Sequence, residues 1–307
     1  MQMTAKARAS VLHDRLSNGH ALRLRERRVY ASLRGRNHVL TPSCVRLADV
    51  SLRAIGSRLV YTAYSKRLIQ QAAGKHPRHI AIMLDGNRRW AREAGFADVA
   101  DGHRAGAKKI ADFLSWCREA DVEVVTLWLL STDNLSRAPE EVEALLKIIV
   151  DVVDELAGPE KPWRLRMVGA LELLPADMAR SLKAAAARAE GRNGMEVNIA
   201  VGYGGRQEIA DAVKKLLLQH ADEGTSIREL AKILDVDHIS EHLYTSGQPD
   251  PDLIIRTSGE QRLSGFLLWQ SAHSEFWFTE AYWPAFRRVD FLRALRDYAW
   301  RHRRFGT

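Results

Sequence analysis

The sequence predicts an α/β domain with a central, mostly parallel six-stranded sheet flanked by helices. Three observations carry this reading. Short apolar runs alternate with amphipathic helical stretches from residue 79 to residue 303, the pattern of a sheet covered by helices. One run, Val122–Leu130, is apolar almost throughout, as a strand buried on both faces requires. Polar, glycine-bearing segments follow the strands, which places them at the C-terminal edge where such sheets bind ligands.

The elements follow in order. The first strand is His79–Leu84, closed by the turn-forming Asp85-Gly86-Asn87. An amphipathic helix comes next, with His103, Ala107, Ile110 and Leu114 at three- and four-residue intervals. Val122–Leu130 is the second strand, and the Ser131–Arg137 loop follows it. Pro139 and two glutamates open another helix, whose apolar stripe is Val142, Leu145, Leu146, Ile149 and Val153. Arg164–Val168 is a strand and Pro175–Ala189 an alanine-rich helix. Glu196–Val201 is a strand that runs into Gly202-Tyr203-Gly204-Gly205 and a helix from about Gln207. Leu253–Ile255 and Phe266–Trp269 read as the last strands, and Asp290–Arg303 as the last helix.

Four of these loops converge on one rim: Asp85–Arg89, Ser131–Arg137, Gly202–Arg206 and Arg256–Ser264. They carry Arg88, Arg89, Arg137, Arg206, Arg256 and Arg262, with Asp85, Asp133 and Glu260 as carboxylates and Glu275 further along. Arginine forks match phosphate oxygens, and glycines let backbone N–H groups approach them. Asp85 is a hard oxygen donor of the kind that shares Mg²⁺ with substrate phosphates. The rim reads as a site for phosphorylated ligands with Mg²⁺. Each residue alone has a plainer reading: Asp85 as a turn former, the arginines as solvated or paired, His103 as a cap or core histidine. No nucleotide-binding glycine loop, zinc-spaced Cys/His cluster or Gly-x-Ser-x-Gly elbow is present.

Composition excludes other classes. With 307 residues, 46% of them apolar, the chain can bury a large core and is not globally disordered. Residues 1–60 hold 12 Lys+Arg against 3 Asp+Glu, while residues 61–307 hold 34 against 35. The excess charge is thus confined to a leader, and a nucleic-acid partner is not expected. Residues 1–50, with Arg23, Arg25, Arg27 and Arg28, are expected to be a poorly ordered basic extension. A misplaced upstream start codon would leave the same composition. The Leu52–Ala73 stretch turns helical and is expected to pack on the domain rather than lie on a membrane. Cys44 and Cys117 form no disulfide framework, and no apolar run reaches the roughly 20 residues of a membrane span. A cytoplasmic protein, with at most peripheral contact at the inner membrane face, is expected. The aromatics Trp269, Phe276, Trp277, Phe278, Tyr282, Trp283 and Phe286 read as a core edge or subunit interface.

The blocks HIAIMLDGNRRW (His79–Trp90), GHRAG (Gly102–Gly106), STDNLSRAPEE (Ser131–Glu141), NIAVGYGGRQEI (Asn198–Ile209) and DLIIRTSGEQRLSGFLLWQSAHSEFWF (Asp252–Phe278) resemble the cis-prenyltransferases, the undecaprenyl diphosphate synthase family. The resemblance implies that family's fold over residues 51–307, a homodimer, and isopentenyl diphosphate and an allylic diphosphate as substrates. It implies Asp85 on Mg²⁺, and Gly86, Asn87, Arg88, Arg89, Trp90 and His103 around the allylic diphosphate, with Asn87 near the reacting centre. Ser131 and Asn134 would lie near the reacting ends and Arg137 would support the phosphate region. Arg256, Arg262 and Ser264 would bind the diphosphate of isopentenyl diphosphate. Glu275 would complete the metal site or its network across the dimer. Arg304-Phe305-Gly306 resembles the family's C-terminal Arg-x-Gly element, which reaches the partner's site.

Two departures stand out. The family's arginine before the Gly-His pair is missing from Phe96–Asp101, leaving Arg92 or Arg104 to replace it. Ser-x-Glu-Asn-Trp has become Ser131-Thr132-Asp133-Asn134-Leu135. Leu129 stands where long-chain members typically have alanine and resembles the short-chain actinobacterial enzymes. A short-chain synthase making (2Z,6E)-farnesyl diphosphate from geranyl diphosphate is therefore expected. The alternatives are a decaprenyl- or undecaprenyl-forming enzyme and a non-catalytic scaffold subunit.

Overall fold

The structure, a computed structural model, describes residues 61–71 and 76–301. The expectations for residues 1–50, and for Arg304 and Gly306, lie outside the described residues. By contacts the chain divides into two compact units, one of Pro77–Arg288 and one combining the residues before Pro77 with those from Val289.

The Pro77–Arg288 unit holds the whole sheet. Its strands are β1 (His79–Met83), β2 (Val124–Ser131), β3 (Arg164–Val168), β4 (Glu196–Tyr203), β5 (Leu253–Arg256) and β6 (Glu275–Phe278), in the order β3-β4-β2-β1-β5-β6. All five pairings are parallel. β1 is central and buried along its full length, which is why its sequence is a continuous apolar run. The chain leaves β1 toward β2 and returns to its other side only at β5, so the strand order reverses beside β1. Ligand crevices form at such a point.

The helices of this unit are α2 (Asn87–Glu93), α3 (Ala100–Glu119), α4 (Pro139–Leu156), α5 (Ala176–Ala189), α6 (Gly205–Asp222), α7 (Ile227–Ile233) and α8 (Val236–Ser240). α3 buries Gly102, Gly106, Ile110, Phe113, Leu114 and Cys117 along one face. The aromatic crowd is core in part: Trp283 and Phe286 are fully buried, and Phe113 meets them edge-on at 5.7 and 6.3 Å.

Phe266–Trp269 is not a strand. Ser264, Gly265 and Leu267 have φ of 50°, 84° and 45°, left-handed values that no extended strand accommodates. Phe266 and Leu267 are fully buried inside a turn, and burial alone produced the apolar run. The sixth strand is Glu275–Phe278, half-buried at the sheet edge. β4 also runs two residues beyond Val201, so Gly202 and Tyr203 belong to the strand.

In the other unit residues 61–71 form a helix, α1, and α9 continues from Arg288 to Trp300. The Tyr61 hydroxyl accepts the Val289 N–H at 3.2 Å, and Arg293 lies 5.3 Å from the centre of the Tyr64 ring. Leu68 and Ile69 are buried. The remainder of the Leu52–Ala73 stretch lies outside the described residues.

Candidate active site

The sharp turn after β1 starts the site. Gly86 has φ of 100°, and a Cβ there would meet Tyr282 Cδ1 at 2.6 Å and Ser258 Cβ at 2.9 Å, so only glycine fits. The turn aims Asp85 at β5, where its Oδ2 accepts Arg256 Nε–H at 2.9 Å. The Asp85 carbonyl accepts the Trp283 N–H at 2.9 Å and the Thr257 hydroxyl at 2.8 Å. Arg256 is almost fully buried, and its Nη1 donates to Ser264 Oγ at 2.9 Å and to the Arg262 carbonyl.

Asn87 opens α2, its Nδ2 donating to the Leu84 carbonyl at 2.8 Å. The two glycines of GHRAG let α3 close on it. A Cβ at Gly102 would lie 2.1 Å from the Asn87 carbonyl oxygen, and one at Gly106 would lie 2.2 Å from Asn87 Oδ1. Between those glycines His103 reaches the cavity, with Nε2 buried and without a partner among the described residues. Burial, reinforced by Arg137 and Arg88, pushes its pKa down to about 4. The imidazole is therefore neutral near neutral pH, with one donor and one acceptor.

The Ser131–Arg137 segment is a 3₁₀ turn rather than an open loop. Ser131 Oγ accepts the Asn134 N–H at 3.1 Å, and Asn134 Oδ1 accepts the Ser131 N–H at 3.4 Å, a reciprocal capping box. The arginines rest on carboxylates. Arg88 and Arg137 both donate to Glu141 Oε1 at 3.1 Å. Arg89 donates to Ser258 Oγ at 2.8 Å and to Glu260 at 3.3 Å, and Arg262 also pairs with Glu260.

These residues form the mouth of a cavity of ≈ 730 Å³, within the usual range for a small-molecule site. Its depth is apolar, lined by Ala107, Ile110, Leu129, Leu145, Ile148, Ile149 and Val152. A bulge shapes that wall. Trp128 pairs with Ala200 and Leu130 with Val201, so Leu129 is an extra residue in β2. Alternation is broken there, and Trp128, Leu129, Leu130 and Ser131 all line the cavity.

The structure thus brings together Asp85, Gly86, Asn87, Arg88, Arg89, His103, Leu129, Ser131, Asn134, Arg137, Arg256, Arg262 and Ser264. Other residues lie elsewhere. Trp90 does not line the cavity but stacks on Phe96 at 5.4 Å. Glu275, expected to complete the metal site or its network across the dimer, is not beside Asp85 within the chain. It pairs with Leu253 at the start of β5, whereas Asp85 follows the end of β1 beside Arg256. Gly202–Arg206 does not reach the cavity, because β2 separates β4 from β1. Leu135 lines a separate groove with Val142, Leu146 and Met178. The wall contributed by α4 is Leu145, Ile148, Ile149 and Val152, turned from the stripe the sequence suggests.

Sequence reasoning missed Glu141 and Ser258 as supports, and Trp128, Ile148 and Val152 as wall. The i, i+3, i+4, i+7 spacing from Leu145 was the available signal for the last two. Arg104 pairs with Asp98 and Asp101 outside the cavity. Arg92 lines the cavity with no carboxylate partner among the described residues.

Asp85 makes no hydrogen bond through Oδ1 among the described residues, and no cluster of three or more His, Cys, Asp or Glu is present there. One hard oxygen donor among arginines suits an ion completed by phosphate oxygens and water, as Mg²⁺ is.

A cationic mouth above an apolar depth, at the reversal point of a parallel sheet, defines an enzyme for substrates with a phosphorylated head and a hydrocarbon tail. Residues 82–306 match the prenyltransferase family described as "Putative undecaprenyl diphosphate synthase". The chain is 61% identical to isoprenyl transferase 1 of Corynebacterium diphtheriae over 85% of its length and 98% of the relative's. It is 59% identical to the (2Z,6E)-farnesyl diphosphate synthase of Mycolicibacterium smegmatis over 80% of its length and 95% of the relative's. The crystal structure of lavandulyl diphosphate synthase from Lavandula x intermedia with dimethylallyl diphosphate superimposes with a TM-score of 0.68 at 33% identity, covering 74% of this chain and 97% of that one. The chain belongs to the cis-prenyltransferase family and is a transferase of isoprenoid biosynthesis.

Proposed function

We propose that this enzyme condenses one isopentenyl diphosphate with geranyl diphosphate, releases (2Z,6E)-farnesyl diphosphate, and stops there. The observation that supports the stop is Leu129, bulged out of β2 into the apolar wall opposite α4. Leucine exceeds alanine by three heavy atoms, and forcing a chain past such a wall costs roughly 1–3 kcal/mol. Release then outcompetes the next addition. The 59% identity to a (2Z,6E)-farnesyl diphosphate synthase supports the same product.

In the reaction the isopentenyl double bond attacks C1 of the allylic diphosphate. The C1–O bond breaks, the diphosphate leaves with the electron pair, and a proton passes from the isopentenyl unit to that departing diphosphate as the new cis double bond forms. Negative charge grows on the leaving group, where Arg88, Arg89 and His103 meet it, aided by Arg137; the arginines leave Glu141 and Glu260 for phosphate oxygens. Arg92 replaces the arginine missing from Phe96–Asp101. Asn87, whose buried Oδ1 has no partner among the described residues, lies at the reacting centre, with Ser131 and Asn134 beside it. Arg256, Arg262 and Ser264 hold the diphosphate of isopentenyl diphosphate. Mg²⁺, the family-level expectation, would be held by Asp85 and would neutralise diphosphate charge. The apolar depth keeps water from the allylic fragment.

The enzyme acts as a cytoplasmic homodimer, with Glu275 and the Arg304–Gly306 element serving the partner's site. Among the described residues no helix is long and apolar enough to cross a membrane, and any membrane contact is peripheral.

The test is product analysis by chromatography, with Mg²⁺, labelled isopentenyl diphosphate and separate allylic primers. A C15 product from geranyl diphosphate is expected, and Leu129→Ala should shift products to longer chains by about tenfold in ratio. Decaprenyl or undecaprenyl products from the unsubstituted enzyme would overturn the wall.

A further inference from the structure

We propose that Tyr203, held by Glu208, is the positioning residue of the loop that receives the diphosphate of isopentenyl diphosphate. The proposal rests on the assignment of Arg256, Arg262 and Ser264 to that diphosphate. Neither Tyr203 nor Glu208 lines the cavity, so both act through the loop.

Glu208 is a carboxylate of α6 only 1% exposed, with no ion pair among the described residues. Such burial is tolerated only when donors surround the group, and here three do. Tyr203 Oη–H donates at 2.5 Å, the Tyr244 N–H at 2.9 Å and Gln270 Nε2 at 3.1 Å. With its proton committed to Glu208, the Tyr203 hydroxyl presents a lone pair in a fixed direction. That lone pair accepts the Leu267 N–H at 3.2 Å.

Leu267 is where the loop needs holding. Ser264 and Leu267 both have positive φ, a conformation that non-glycine residues keep only when their surroundings enforce it. One further bond steadies the same loop, from the Gly205 N–H to the Gly265 carbonyl at 2.7 Å. At the other end of this short loop Ser264 Oγ and the Arg262 carbonyl both accept from Arg256, which reaches Asp85. The Tyr203 ring also meets Phe266 edge-on at 5.9 Å, and Phe266 stacks on the cavity-lining Trp128 at 4.8 Å. The Gly202–Arg206 turn therefore serves the site by shaping the neighbouring loop.

Tyr203→Phe keeps the ring and removes the hydroxyl, leaving the buried Leu267 N–H without its acceptor. The KM for isopentenyl diphosphate should rise about tenfold, a change of about 1.4 kcal/mol, while the KM for geranyl diphosphate stays within about twofold. A purely structural role would lower the melting temperature and the apparent kcat and leave both KM values unmoved, which would overturn the proposal. Glu208→Gln keeps an acceptor for Tyr244 and Gln270 and should raise the same KM by a smaller factor; should Tyr203→Phe fail to fold, this variant decides. Ser264→Ala is the control on the underlying assignment. If it leaves the KM for isopentenyl diphosphate unchanged, the diphosphate is not in this loop. If it raises that KM and Tyr203→Phe does not, the assignment stands and the positioning role falls.

Discussion

The two ends of the sheet hold buried polar groups in opposite conditions. At the N-terminal end they close on one another. His79 Nδ1–H donates to the Pro249 carbonyl at 2.7 Å, which leaves Nε2 to accept the Thr126 hydroxyl at 2.8 Å. Thr126 accepts from Asn198 at 2.9 Å, and Asn198 exchanges two bonds with Gln248 at 2.7 and 2.9 Å. At the C-terminal end Asn87 Oδ1, His103 Nε2 and Trp128 Nε1 are buried without partners among the described residues. Unmade bonds in a low-dielectric site are expensive. The first end commits these groups to the fold, whereas the three at the second end belong to residues that line the cavity.

Four measurements probe this contrast. Asp85→Asn keeps an acceptor for Arg256 but removes the charge; turnover should fall about 100- to 1,000-fold, with a smaller loss of stability, measured by the urea midpoint, because the buried Arg256 loses its counter-charge. A midpoint that falls as sharply as turnover would make Asp85 structural. Acid should weaken the fold from both ends. Burial lowers the pKa of His79 and of His103 from 6.5 to about 4. As pH falls the unfolded chain takes up protons first, so stability present above 6.5 is lost toward 4, by up to about 3 kcal/mol for each histidine. Urea titrations at several pH values across that window measure it, and a flat profile would contradict the neutral assignment. Asn198→Ala opens the closed network and should cost about 1–3 kcal/mol in stability without moving either KM. The smallest contrast is between two arginines. Arg92→Ala should raise the KM for the allylic diphosphate about tenfold, whereas Arg104→Ala, losing two exposed pairs, should change it by less than about twofold. Equal effects would remove Arg92 from the site.

Much of this was legible in the sequence because strands and rim loops announce themselves locally. The His79–Met83 and Val124–Ser131 strands are apolar since both faces are covered, and Asp85–Arg89 follows directly. What remained hidden depends on distant partners. Nothing near Glu141 or Glu260 says that they hold the arginines. Phe266–Trp269 looked like a strand because apolar content reports burial and not dihedral angle. The Gly202–Arg206 turn looked like a binding loop because periodicity gives no strand order, and β4 lies one strand too far out.

The bulge at Leu129 has a consequence for how this enzyme can change. The extra residue stands outside the ladder between β2 and β4, so its side chain is released from the alternation that ties the regular part of the strand to the two faces of the sheet. A substitution there resets a ruler without shifting the frame that holds it. On the proposed reading of Leu129, product length becomes a trait that single mutations can move in either direction while the fold stays neutral to the change.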